Sequence, residues 1–424
     1  MKYLSNLSSL LRWCLTLAIA ISLSSCEKES DEPPFQEVAY ERFAGQLFEK
    51  EVVPEEDIQK ALREFEIESL EQLVSNEDSP YAKFKREIER LFPYLKLMPQ
   101  YNIHGIAYHT VDPNGNPVVA SGVVYYPKRM KPKGVVLISP VFKTKGKCGT
   151  DIQLAYEAFP GLTGYVCIVP DGIGLGSTAH LPIAFMHHEN MARICVDMLL
   201  AAKEFIHNRY RYDIPQETFL FGYSQGGSDI WAVARHCQQH PEVGFKASDI
   251  FVGGGAYQPD LAMESLLGHD NNNYAVTPYI IWSLNQYENL GLDFTKIFKG
   301  KLLEGMPGTC NGEKSVYWLT SYLGTNVHEY MEEDFLRYKE NPQALLILEA
   351  LKRHTIPNDW IPEAQVHLYH GAADSIIPTA CGDQLNDYLQ SVNAKVTYHK
   401  LEQNHFECAV SMALDFFNFL RKKK

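Results

Sequence analysis

The sequence predicts an α/β architecture: a mostly parallel central sheet with helices on both faces, a late helical insertion and a helical extension in front. Three observations carry this. Short continuous apolar runs, suited to strands buried on both faces, recur from Gly134 onward. Helical stretches separate most of them, as expected when each parallel strand is followed by a crossover helix. Between Gly254 and Gln365 a long segment without strong strand signals interrupts the pattern, and an insertion of that length is usually functional or its own subdomain.

The elements follow in chain order. Lys2 and Arg12 precede and flank an apolar stretch, Trp13 to Leu23, that falls short of the roughly 20 residues a bilayer span requires. Leu23-Ser24-Ser25-Cys26 then sets small residues before a cysteine, as at the end of a signal peptide, and it resembles a lipoprotein lipobox. That resemblance implies a signal peptide over 1–25, cleavage before Cys26 and a diacylglycerol on its thiol. A membrane-anchored lipoprotein of the cell envelope is expected, at the outer membrane and displayed on its surface. The polar, Pro-punctuated stretch that follows reads as a flexible tether over 26–39. From 40 to 100 a helical extension is expected, with apolar stripes at Ile58, Leu62, Phe65 and Ile67 and at Phe84, Ile88, Leu91 and Phe92.

Asn102 to Val111 and Val118 to Tyr126 alternate as strands around Asp112-Pro113-Asn114-Gly115-Asn116-Pro117, which is turn chemistry. Buried strands are then expected at Gly134 to Ser139, Tyr165 to Val169, Thr218 to Phe221, Ile250 to Val252, Val366 to Tyr369 and Lys395 to Leu401. Helices are expected at Phe185 to Asn208, Gly226 to Gln239, Thr379 to Ser391 and Glu407 to Leu420. The sheet domain thus spans 101–259 and 365–424, and 260–364 is read as a helical cap. Composition narrows the function. A formal net charge of −13 repels phosphate backbones, so nucleic acid is excluded as a partner. Apart from Cys14 and Cys26 the cysteines are scattered without a CxxC pair, which excludes a zinc ribbon or thioredoxin-type motif; in an oxidising compartment some could pair, with connectivity left open. There is no HExxH, and no metal or cofactor is assigned.

Phe219-Leu220-Phe221-Gly222-Tyr223-Ser224-Gln225-Gly226-Gly227 places Gly-x-Ser-x-Gly directly after an apolar strand and before a helix. Such a turn exposes the serine hydroxyl at a strained corner, and the helix N-terminus turns N–H groups toward developing negative charge. Serine needs an adjacent base. Asp374, in the loop after one buried strand, and His405, between the last strand and the last helix, both emerge at the C-terminal edge of the sheet. Ser224 is thus the candidate nucleophile, His405 its base and Asp374 the orienting acid. Asp383 and Asp387 fall within a helix and His370 in a turn, so structural roles are expected for them. His187 and His188 adjoin a helix start; they are read as cleft-lining or solvated, with the solvated role preferred. Gly172-Ile173-Gly174-Leu175-Gly176 looks like a dinucleotide loop, but its helix starts late and it is discounted.

Together with Pro170-Asp171-Gly172-Ile173-Gly174-Leu175-Gly176-Ser177, these segments resemble the secretory lipase/esterase family of α/β-hydrolases from about Tyr101 to the C-terminus. The resemblance implies the α/β-hydrolase fold, a lid, and hydrolysis of a small-molecule ester or lipid through an acyl-enzyme. It makes Ser224, Asp374 and His405 the triad. The family often has Tyr where this chain has Gly172, and His-Gly after the strand that here ends Ile138-Ser139-Pro140-Val141-Phe142. The expected oxyanion donors are the backbone N–H groups of Gln225 and Phe142. Tyr223, Tyr279, Trp282 and Tyr287 are the candidate substrate contacts, the last three from the cap. Two other readings remain: a peptidase of the same fold, which calls for charged anchors in the cap, and a non-catalytic surface binding protein, which the intact triad argues against.

Overall fold

The computed structural model describes residues 36–64 and 86–423. The leader and Cys26 lie outside them, as do Phe65, Ile67 and Phe84 of the expected apolar stripes. Nine strands form one sheet in the order β1-β2-β3-β5-β4-β6-β7-β8-β9. They are β1 (Phe43–Val52), β2 (Tyr101–Val111), β3 (Pro117–Pro127), β4 (Val135–Ser139), β5 (Val166–Pro170), β6 (Glu217–Tyr223), β7 (Lys246–Gly253), β8 (Gln365–Gly371) and β9 (Val396–Leu401). The run from β5 through β4 to β9 is parallel, and β1, β2 and β3 join it antiparallel.

The parallel centre owes its position to its side chains. All five residues of β4 are buried. Val135 and Leu137 join the core on one face, while Val136 and Ile138 join the core on the other, as the two-residue period of a strand requires. Fully burying a Val, Leu or Ile stabilises the fold by roughly 1.5–3 kcal/mol, so the apolar runs hold helices on both sides. One face carries α2 (His188–Tyr210) and α3 (Gln225–Gln239), together with α8 (Thr379–Ser391); the other carries α9 (His405–Lys422).

The segment between β7 and β8 is helical. It contains α4 (Pro259–Leu267), α5 (Thr277–Glu288), α6 (Val316–Leu323) and α7 (Pro342–Arg353). Its apolar side chains continue the core of the α2–α3 face, so the cap shares its interior with the sheet domain.

The extension departs from the helical expectation over 40–100. It opens with β1, antiparallel to β2, and only then forms α1 (Pro54–Glu64). Register irregularities between Phe43 and Gly45 and between Gln46 and Phe48 break the alternation of β1, which hides the strand from a period-two search. Among the described residues no helix is long and apolar enough to cross a membrane. The seven cysteines from Cys148 to Cys408 are all free and buried, which closes the question of their pairing.

Candidate active site

Ser224 stands between β6 and α3 with φ 57° and ψ −126°, a backbone conformation that costs a non-glycine residue on the order of 1–3 kcal/mol. Its neighbours hold it there. Ser224 N–H donates to Gly253 O at 2.9 Å, and its own carbonyl accepts from Gly227 N–H at 2.9 Å. The flanking glycines leave no room for anything larger. A Cβ on Gly222 would stand 2.0 Å from Gly226 O, and one on Gly226 would stand 2.2 Å from Ser139 O. The close pass of α3 over β4 and β6 therefore depends on both.

His405 opens α9. Asn404 caps that helix: its side-chain oxygen accepts from the N–H groups of Phe406 and Glu407, and Glu407 accepts from Asn404 N–H. Tyr223 O–H donates to His405 O at 2.7 Å. So fixed, the imidazole reaches both partners. Nε2 lies 2.9 Å from Ser224 Oγ, and Nδ1 lies 2.6 Å from Asp374 Oδ2. The other carboxylate oxygen of Asp374 accepts from Ile376 and Ile377 N–H, each at 2.9 Å. Asp374 and His405 are both buried. This arrangement can move the Ser224 proton to a neutral imidazole and stabilise the resulting cation. His370 is buried against Ile377 O at 3.1 Å, and burial holds its pKa below the ordinary value. Asp383 pairs with Lys400 and Tyr398.

The relay opens into a cavity lined mostly by apolar side chains. Ile88, Leu91, Tyr156 and Phe159 form part of its wall, with Phe406, Ala409, Val410 and Ala413 of α9 and Tyr274 and Tyr317 of the cap. Phe142 lines it too, its ring stacked 4.1 Å from that of Phe185. Among the described residues, no backbone partner takes up the N–H of Gln225 or of Phe142. The loop after β4 is tethered by buried Lys143, which pairs with Glu157 at 2.6 Å and hydrogen-bonds Tyr156 O–H.

Of the four candidate substrate contacts, Tyr223 reaches the cavity wall, with its hydroxyl spent on His405 O. The three from α5 pack elsewhere. Tyr279 O–H donates to Lys314 O and Tyr287 O–H to Pro182 O, while Trp282 stacks on Phe294. A helix rich in aromatics is read equally well as a lining or as a core; Tyr279 and Tyr287 join the core, and Trp282 stays half-buried beside it. The expectation that His187 and His188 are solvated is also overturned, since both are buried. His188 Nδ1 pairs with Asp229 at 2.8 Å, and Asp229 accepts from Ser139 Oγ at 3.3 Å. Burial pushes the Asp229 carboxyl up. This brace joins α2, α3 and the end of β4 beneath Ser224. Asp229 is the lone carboxylate of its helix and directly precedes the apolar run Ile230-Trp231-Ala232-Val233, but nothing in the sequence marks His188 as its partner. Gly172 to Gly176 forms a turn around buried Asp171, which accepts from Ser121 Oγ at 2.7 Å.

The secretory lipase family model matches residues 149–420, a span that contains Ser224, Asp374 and His405. No curated protein matches the chain. Among solved structures, a putative hydrolase from Legionella pneumophila is similar at 21% identity and a TM-score of 0.68, covering 91% of this chain and 99% of that one. The rice cell wall degrading esterase LipA from Xanthomonas oryzae is similar at 19% identity and a TM-score of 0.67, covering 78% of this chain and 93% of that one. Lipase A from Candida antarctica follows at 13% identity and a TM-score of 0.55, covering 72% of this chain and 73% of that one.

Proposed function

The chain belongs to the secretory lipase family and is a carboxylic ester hydrolase; from that premise we propose that Ser224, His405 and Asp374 are its catalytic triad and that its substrates carry an apolar acyl group. One observation carries the reading: the hydrogen-bonded series Asp374–His405–Ser224 opens on an apolar cavity. Ser224 Oγ attacks the ester carbonyl while His405 Nε2 takes its proton, and Asp374 at Nδ1 holds the reactive tautomer. The Gln225 N–H, at the positive end of α3, and the Phe142 N–H receive the oxyanion. His405 returns the proton to the departing alcohol, and water then cleaves the acyl-enzyme by the same steps in reverse. The acyl group lies against Phe406, Ala409, Val410 and Ala413. The cavity favours an ester over a peptide, because Glu157, a carboxylate in its wall, is already paired with Lys143. In keeping with the lipobox resemblance, the anchoring lipid sits on Cys26 and the enzyme works at the envelope surface.

The test is active-site labelling. A fluorophosphonate probe labels the native protein on Ser224. Ser224→Ala folds, takes no label and loses turnover of p-nitrophenyl esters by about 10⁶. Wild-type ester turnover in folded Ser224→Ala refutes the assignment.

A further inference from the structure

We propose that His187, Glu288 and His354 form a divalent-metal site, with Zn²⁺ as its ion, that staples the cap to the sheet domain. The three come from three elements: His187 precedes α2, Glu288 ends α5 and His354 follows α7. One ligand atom from each lies within 4.8 Å of the other two, and among the described residues no other three metal-ligating side chains converge in this way. A zinc ion with bonds of about 2.0–2.1 Å holds its ligands roughly 3.3 Å apart, so small side-chain rotations close the set.

A second, independent observation points to a ligand. His187 is buried, and its Nε2 has no hydrogen-bond partner among the described residues. Its ring instead stands edge-on to that of His354, with centroids 4.4 Å apart. A buried ring nitrogen without a partner is costly, and a metal bonded there would satisfy it. The neighbouring His188 gives its Nδ1 to Asp229 at 2.8 Å and is not one of the three convergent ligands.

The surroundings suit the ion. Glu288 Oε2 accepts from Arg353 at 2.7 Å, and Oε1 pairs with His354 Nε2 at 3.0 Å; an ion between them replaces that hydrogen bond and takes Oε1 as its ligand oxygen. Hydrogen bonds of this kind orient ligating carboxylates. Two imidazoles and a carboxylate match the preferences of Zn²⁺, and water completes four-coordination. The cap already touches the segment before α2, through Tyr287 O–H to Pro182 O and Phe185 N–H to Ser283 Oγ. The ion adds a third tie at the same seam.

The purified chain, freed of metal with EDTA, is titrated with ZnCl₂ by calorimetry. One equivalent binds, and the unfolding temperature rises. His187→Ala and His354→Ala each weaken binding about tenfold or more, while turnover of acetate esters at Ser224 stays at the native level. Because a buried histidine is a risky position to truncate, the native chain is also loaded with Co²⁺. It gives visible bands of nitrogen and oxygen ligation without a thiolate charge-transfer band. A titration without a one-equivalent isotherm, native affinity in both variants, or a thiolate band from the buried cysteines overturns the site.

Discussion

At Ser224 the backbone is strained so that the hydroxyl can stand clear of the sheet, and the strain is held by two hydrogen bonds and by glycines that no other residue can replace. His405 and Asp374 were legible for a related reason. Asp374 sits just beyond the C-terminal end of buried β8 and His405 beyond β9, which proves to be an edge strand with no buried residue and not the buried strand expected at Lys395 to Leu401. Strand order still brings both to the edge where Ser224 lies. The brace of His188, Asp229 and Ser139 was not legible, because nothing in local spacing brings α2 over α3. For Asp374→Asn we expect an intact fold and a loss in kcat on the order of 10⁴, since an amide favours the wrong tautomer of His405; kinetics beside a circular-dichroism spectrum decide it, and near-native kcat removes Asp374 from the relay. A second expectation concerns His104, buried in β2 with Nε2 2.5 Å from Tyr210 O–H. Burial lowers its pKa to about 4, against an upward pull from Glu49 and with a smaller downward push from Arg209. The folded protein therefore keeps this imidazole neutral while the unfolded chain protonates it below about 6.5. Its contribution is present above pH 6.5 and is lost as pH falls toward 4, an amount on the order of 2–3 kcal/mol. Denaturant melts of native protein and His104→Gln across that window measure it. The variant's stability should fall less steeply, and parallel profiles exclude His104 as a source.

Among the elements, the strands and long helices follow directly from apolar periodicity, and their ends shift by only a few residues from expectation. Two elements behave otherwise. β1 was hidden by its irregular register, which interrupts the alternation that marks a strand. The cap was recognisable as an insertion, but which of its aromatics face the cavity depends on how α5 packs: Tyr279 and Trp282 turn to Lys314 and Phe294 within the cap, and Tyr287 turns to Pro182 at the seam. Tyr274 and Tyr317 face the cavity instead. The substitution that probes acyl length therefore belongs on α9. Ala413→Trp should fill the apolar wall and cut kcat/KM for long esters by tenfold or more, with acetate esters little changed; each methylene kept from the wall forfeits about 0.8 kcal/mol. Trp282→Ala should lower the unfolding temperature without changing chain-length preference. A chain-length series of p-nitrophenyl esters reads both, and equal loss on all esters in Ala413→Trp places the acyl group elsewhere.

For the whole molecule, the proposed lipid anchor sets where it works. If Cys26 carries the lipid, Cys26→Ser should move the protein from the membrane pellet to the soluble fraction, because two acyl chains supply the attachment; an unchanged pellet fraction rejects the anchor. Among the described residues the seven buried cysteines are free, so no disulfide braces that part of the fold. The cavity wall has a different consequence. The family match begins at residue 149 and takes in all three relay residues, whereas Ile88, Leu91 and Phe142 lie before it. Part of the wall that receives the guest is thus written outside the stretch that carries the relay, and drift there can change the diet of the enzyme while leaving its three relay residues as they were.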